Sequence, residues 1–221
     1  ITWTLCEARD GSVWIGTDAG VSQWKDGRFH NFRQRDGLSG DKIRSVAEDA
    51  SGTIWVGTSS GLSVIRDGIA QKFPFPHKLE RDKTRVVLPA KDGTLWLGTA
   101  DGLYHLVGGQ WRRFTLEDGL ANLDVLALRE GRGGNLWIGT AGSGLQSYQD
   151  GRFTTFATTN GLSNTSVWAL HEDTEGVLWV GTEKGLNRYR DGRFTSFTVR
   201  EGLPSDLVNE ILEDDFANLW I

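Results

Sequence analysis

One four-residue phrase returns at an almost fixed interval along this chain. Trp14-Ile-Gly-Thr is followed by Trp55-Val-Gly-Thr, Trp96-Leu-Gly-Thr, Trp137-Ile-Gly-Thr and Trp179-Val-Gly-Thr, and Trp220-Ile221 opens a sixth copy. The spacings between these tryptophans are 41, 41, 41, 42 and 41 residues. A chain of 221 residues with that period is an array of one supersecondary unit, so its local motifs have to be judged against their own copies.

Within one period, residues 166–206, the pattern predicts four short strands. Val167 to Glu172 reads as strand A, Leu178 to Thr182 as strand B, Gly185 to Arg190 as strand C and Arg193 to Phe197 as strand D. Asp191-Gly192 between C and D is a two-residue hairpin signal, because glycine takes the positive φ of a type I′ turn without steric cost. It recurs as Asp26-Gly27, Asp67-Gly68, Gly108-Gly109 and Asp150-Gly151, and the A–B turn recurs as Asp10-Gly11, Ser51-Gly52, Asp92-Gly93 and Gly133-Gly134. Polar connections (Gln34–Asp41, Pro74–Asp82, Leu116–Asn122, Thr158–Asn164 and Val199–Asp206) lead from each D to the next A.

Four antiparallel strands per period form the blade of an all-β propeller, and a blade with two apolar faces must stack on its neighbours. The expected blades are 1–41, 42–82, 83–123, 124–165, 166–206 and a partial 207–221. The repeated Trp14, Trp55, Trp96, Trp137, Trp179 and Trp220, with Gly16, Gly57, Gly98, Gly139 and Gly181, form the structural signature. A leucine-rich horseshoe needs a period of about 20 to 29 residues with a helix or 3₁₀ turn, and a parallel β-helix has no use for regular Asp-Gly hairpins. The first and last 15 residues both supply strands A and B, which predicts a piece of a longer ring of about seven blades.

Composition narrows the function classes. The net charge is −5 with a pI near 5.4 and no Lys/Arg run, which argues against nucleic acid as a partner. Cys6 is the single cysteine, so an internal disulfide or cysteine metal cluster is excluded, and no apolar run reaches membrane-span length. No cofactor and no metal is expected: His30, His77 and His105 lack paired ligand spacing. His171-Glu172-Asp173 resembles a catalytic cluster, but Ala47-Glu48-Asp49 and Leu212-Glu213-Asp214 hold the same slots without histidine, so Glu and Asp are read as hydrogen-bonding their own A–B turn. Gly131-Arg-Gly-Gly-Asn is a hairpin turn rather than a phosphate loop, Ser143 is the one-residue insertion of the 42-residue period, and Asn164-Thr-Ser is a sequon of little weight here.

The pattern V-x-A-L-x-E-D-x-x-G-x-L-W-V-G-T-x-x-G-L-x-R-Y at 167–189 closely resembles the two-component regulator propeller repeat of bacterial sensor proteins. It departs from that pattern at Pro89, where the other copies have Glu7, Glu48, Glu130, Glu172 and Glu213, and at Pro74-Phe-Pro-His-Lys-Leu-Glu, which lacks Asp-Gly-Leu. The resemblance implies a periplasmic sensor module passing a signal, in some relatives from oligosaccharides, to a kinase or cyclase output outside this chain. It also implies further blades, a homodimer in the full-length protein, attachment to the membrane only through segments outside this sequence, and no catalysis by this segment.

Residues common to all copies are architectural, so function is expected where copies disagree. One position near the start of strand A reads Trp3, Arg44, Arg85, Leu126, Trp168 and Asn209, while two residues on it reads Leu5, Val46, Val87, Leu128, Leu170 and Ile211. Since strand A is innermost in a propeller, the variable position is expected to line the central entrance and the constant one to pack the core. Tryptophan offers a flat face to a sugar ring and arginine a bidentate donor to carboxylate or sulfate, so Trp3, Arg44, Arg85, Trp168 and Asn209 are the candidate ligand residues. The competing reading makes them space-filling or solvent-facing. A protein-interaction scaffold, a secreted glycan-binding propeller and, last, a propeller lyase are the alternative functions.

Overall fold

The computed structural model describes residues 2–75 and 84–221. His77 and the greater part of the second D–A connection therefore lie outside the described residues. The chain divides into two compact units, Ile1–Arg113 and Phe114–Ile221, which are taken in turn.

The first unit contains three antiparallel sheets. They are β1 (Thr2–Glu7), β2 (Val13–Thr17), β3 (Gly20–Lys25) and β4 (Arg28–Phe32); β5 (Ile43–Glu48), β6 (Ile54–Thr58), β7 (Gly61–Arg66) and β8 (Ile69–Lys72); and β9 (Thr84–Pro89), β10 (Leu95–Thr99), β11 (Gly102–Val107) and β12 (Gln110–Phe114). The second unit repeats the pattern with β13 (Val125–Glu130), β14 (Leu136–Thr140), β15 (Leu145–Gln149) and β16 (Arg152–Phe156), then β17 (Val167–Glu172), β18 (Leu178–Thr182), β19 (Gly185–Arg190) and β20 (Arg193–Phe197). A two-stranded sheet, β21 (Leu212–Glu213) and β22 (Leu219–Trp220), ends it. Strand order within each sheet is sequential, so every sheet is a meander of the kind a propeller blade requires.

The hairpins form for the reason the sequence suggests. Asp26 and Gly27 have φ of 49° and 75°, and Asp67-Gly68, Gly108-Gly109, Asp150-Gly151 and Asp191-Gly192 repeat this double left-handed geometry, which defines a type I′ turn. At the B–C turn the repeated threonine closes the loop on itself. Thr58 Oγ1 donates to the Gly61 carbonyl at 3.0 Å and accepts from the Ser60 amide, and Thr182 does the same with Gly185 and Lys184. The inserted Ser143 is absorbed here, since Thr140 still reaches the Gly144 carbonyl at 2.9 Å. The D–A connections contain a single 3₁₀ turn at Gln34–Asp36, Leu116–Asp118, Thr158–Asn160 and Val199–Glu201, each followed by a glycine of positive φ.

The core lies between blades rather than within them. One apolar cluster joins Trp14, Val21 and Phe32 to Ile43, Val46 and Ile54; another joins Trp55 and Val64 to Val87, Leu97 and Tyr104. In the second unit Leu145 and Leu162 pack on Val167, Leu178 and Val180, and Ala169 and Leu186 pack on Val208 and Ile211. The glycine of Trp-x-Gly-Thr is required by this stacking. A Cβ on Gly16 would lie 2.7 Å from Ile43 Cγ2 of the next blade, and one on Gly181 would lie 2.7 Å from both Val208 Cγ1 and its carbonyl oxygen.

The repeated tryptophan fills the gap as expected in most copies. Trp14, Trp55 and Trp96 are buried and Trp137 and Trp179 half-buried, but Trp220 is 65 % exposed because β22 has no third strand beside it among the described residues. The expectation that strand A always buries its constant position also fails once. Val46, Val87, Leu128 and Ile211 are buried and Leu170 half-buried, whereas Leu5, on β1 that packs on β2 and β5, is 61 % exposed.

Candidate functional site

Strand A presents two ends with different chemistry. At the A–B turn, nearly every polar side chain is committed. Asp49 Oδ1 accepts from the amides of Ser51 and Thr53, and its Oδ2 accepts from the Trp55 indole at 2.8 Å. Asp173 and Asp214 repeat this arrangement with Trp179 at 2.7 Å and Trp220 at 2.9 Å. Asp49 lies below the usual carboxylate range: burial, the largest influence, pushes it up, but the bonds from Ser51, Trp55 and Thr53 together outweigh it. Donors from Asn218 and Trp220 lower Asp214 to about 2.

The glutamate beside that aspartate does something else than expected. It reaches back to the preceding blade instead of its own turn: Glu48 accepts from the Arg9 amide at 2.9 Å, Glu172 from the Arg132 amide at 3.2 Å and Glu213 from the Thr174 amide at 3.1 Å. His171 Nε2 lies 3.1 Å from Glu213 Oε2, so the His-Glu-Asp triplet is divided among three structural contacts. His105 stacks on Trp96 with centroids 3.6 Å apart and bonds Thr94, and His30 lies against Phe32. Among the described residues no cluster of histidine, cysteine and carboxylates is arranged to hold a metal ion.

At the other end of strand A lies the variable position, and there the ladder breaks. Thr2 pairs with Thr17 and Thr4 with Gly16, leaving Trp3 as an extra residue without a partner. The same register shift isolates Arg44 between Ile43 and Ser45, Arg85 between Thr84 and Val86, Leu126 between Val125 and Ala127, and Trp168 between Val167 and Ala169. A β-bulge turns its extra side chain out of the pleat, which is how bulges aim side chains at sites. Asn209 departs from this pattern: residues 207–210 form no strand, so it is exposed and not bulged.

In the first unit two bulge residues from adjacent blades meet. The Arg44 guanidinium carbon lies 4.4 Å from the centroid of the Trp3 ring, and Trp3 Nε1 donates to Asp18 Oδ1 at 2.8 Å. In the second unit Trp168 is 39 % exposed. Neither contact nor bulge was legible from residue types; the signal that could have found the bulge is that this one position varies while its neighbours recur.

The two-component regulator propeller family matches residues 1–19, 37–60, 119–142 and 161–184. Those four segments match the repeat of that family, as the motif at 167–189 indicated. It superposes over its full length on the extracellular domain of the hybrid two-component system BT3049 of B. thetaiotaomicron, with a TM-score of 0.90 at 24% identity, and spans 31% of that chain. A second such domain, of BT4673 from the same organism, gives a TM-score of 0.70 at 19% identity with 100% of this chain and 36% of that one covered. Virginiamycin B lyase from Staphylococcus aureus, in a catalytically inactive histidine-to-alanine form, gives 0.81 at 16% identity, covering 99% of this chain and 76% of that one. At these identities the likeness establishes the propeller fold. No curated protein matches the chain in sequence.

Proposed function

We propose that these blades are the ligand-sensing part of a bacterial signal-transduction protein, facing the periplasm and passing a signal to a kinase or cyclase output elsewhere in the same protein. The observation that carries this reading is the coincidence of two independent features. The single position near the start of strand A where the copies disagree is the position that every four-stranded blade bulges out of its ladder. The neighbouring positions recur in every copy, and the bulge position is where side-chain identity changes without altering the ladder. The repeat family and the resemblance to extracellular domains of hybrid two-component systems support the same reading, as does the short share of those chains that this one spans.

The lyase resemblance does not carry an enzymatic reading. The three described histidines serve packing or inter-blade contacts, so none of them is set apart as an acid or base. An oligosaccharide is the ligand class that exposed tryptophan and arginine suit, in a ring completed by further blades of the same chain and in a dimer that couples binding to output.

Reading the encoding frame beyond these 221 residues tests the proposal. Further propeller repeats followed by a membrane helix and a kinase or cyclase are expected. A secretion signal with a stop codon soon after the ring closes would overturn it in favour of a secreted lectin, scaffold or lyase.

A further inference from the structure

At the A–B turn end, one tryptophan departs from its copies. The indole N–H of Trp14 donates to Ser12 at 3.1 Å, that of Trp55 to Asp49, that of Trp179 to Asp173 and that of Trp220 to Asp214. Among the described residues the Trp137 indole has no acceptor. The cause is local: Gly131 stands in the slot of those aspartates, and Asn135, in the slot of Ser12, spends its amide nitrogen on Ser147 at 3.0 Å. A Cβ on Gly131 would crowd Asn135 Oδ1 and lie 3.0 Å from the indole nitrogen, so glycine keeps that edge of the ring clear. Arg44 Nε is the one shielded and unpartnered side-chain nitrogen or oxygen among the described residues, so the half-buried Trp137 keeps its donor open to solvent.

Trp137 lines a groove of about 340 Å³ between the fourth and fifth sheets, with Asn135, Leu178 and Tyr189 beside it and Glu175 and Asp191 at the turns. The Tyr189 ring meets Trp137 edge-on, with centroids 5.8 Å apart. Glu175 and Asp191 share one guanidinium, Arg190, at 3.7 and 3.9 Å, which is beyond hydrogen-bond length and leaves one negative charge uncompensated. Both sheets are complete four-stranded blades, so the groove does not depend on what stands beside the first or last sheet.

We propose that this groove docks a peptide segment carrying a basic side chain, at the end of the blades opposite the variable bulges and independently of the sensing reading. A main-chain carbonyl of the segment takes the Trp137 N–H. The aliphatic stem of the basic residue lies along Leu178 and Tyr189, and its charge reaches Glu175 and Asp191. An acidic segment is repelled by the same carboxylates. The equivalent groove between the first and second sheets, of about 320 Å³, has similar walls in Trp14, Ile54 and Ile65. There Ser12 already holds the indole, Ser51 replaces Glu175, and Lys25 is bound to Asp10 at 2.6 Å, so it serves as an internal control.

Titration of the isotope-labelled full chain with acetyl-Ala-Lys-Ala-amide, followed by proton–nitrogen correlation spectra, tests this. The Trp137 indole and the Gly176 amide should shift saturably while the Trp14 indole stays in place. The norleucine analogue should bind at least about threefold more weakly, since only the exposed charge contact is lost, and the glutamate analogue should not bind. Glu175→Gln with Asp191→Asn should bring the lysine peptide down to the norleucine level. Both side chains are exposed, and asparagine tolerates the left-handed turn position of Asp191, so this variant keeps the fold. No shift at Trp137, or equal shifts with the lysine, norleucine and glutamate peptides, would overturn the site. Lysine-peptide affinity unchanged in the double variant would overturn the charge recognition, and a matching shift at Trp14 would overturn the part assigned to the open indole.

Discussion

The two ends of strand A are built on opposite principles. At the A–B turn, glutamate, aspartate and tryptophan recur, and their polar atoms, the Trp137 indole apart, are satisfied within the blade or by its neighbour. At the bulged end the residue changes from blade to blade, and in Arg44 a charged group is left open. Fewer than seven residues of strand separate the two, so the contrast does not come from depth in the fold. It comes from which positions must obey the stacking of blades. The lesson is that a repeat protein can confine variation to a position where backbone pairing has already been suspended, so that a new side chain costs little stability.

The sharpest way to break this comparison is to attack the satisfied end. Trp55 is buried, donates to Asp49 and meets Phe73 edge-on with centroids 4.8 Å apart. Trp55→Ala should lower stability by about 3–5 kcal/mol in denaturant unfolding, since it opens a cavity between two blades and orphans a carboxylate oxygen. A loss below about 1 kcal/mol would mean that the turn end tolerates change as readily as the bulge.

The next effect concerns the glycine beneath the bulge. Gly181→Ala puts a methyl group 2.7 Å from Val208 of the next blade and should cost about 1–3 kcal/mol through overpacking. Val208→Ala in the same chain should recover part of that loss if the clash is between blades. Failure to recover would place the strain on the Val208 carbonyl oxygen, which the substitution leaves 2.7 Å away, or on Ala169 Cβ at 3.1 Å.

Acid should also separate the two ends. Asp49, Asp92 and Asp214 all lie below the ordinary aspartate value of 3.8, and the hydroxyl and amide of Thr94 are the main cause at Asp92. A carboxyl group lowered in the folded state contributes stability that is complete above its unfolded value and disappears as pH falls through the folded one. The turn end should therefore weaken progressively from about pH 4 toward pH 2. Amide exchange measured across that range should open the A–B turns of Asp49 and Asp92 before the bulged ends. Simultaneous opening of both ends would show one cooperative unit instead.

Much of the fold was legible because its signals are local. Asp-Gly states the hairpin turn through the φ angles only a few residues adopt, and the recurring tryptophan announces the gap it fills. The glutamate contact was not legible, because Glu48 and Arg9 are 39 residues apart and nothing in either residue type names the other. Leu5 misled for a related reason: its residue type matches its buried counterparts, and exposure depends on what packs against β1. The candidate site was legible only as a position. Sequence variation marked Trp3, Arg44, Arg85 and Trp168, but the bulge that takes them out of the ladder and the unpartnered Nε of Arg44 are properties of geometry.

The smallest expected stability effect falls on the variable end. Trp168 is the residue a core-packing argument would rank with Trp55, for it has the same bulk and also lies within a blade, on strand A (β17) where Trp55 is on strand B (β6). Yet it is bulged, 39 % exposed and engaged in none of the aromatic contacts that hold Trp137 and Trp179 to Phe156 and Phe197. Trp168→Ala should change unfolding free energy by less than about 0.5–1 kcal/mol, as for surface positions, against the several kcal/mol of Trp55→Ala. The pair of measurements uses one residue type and one substitution, at the fixed end of one blade and the variable end of another, so side-chain chemistry cancels. A loss at Trp168 comparable to that at Trp55 would mean the bulge is a packing device, and the division between a fixed end and a variable end would disappear with it.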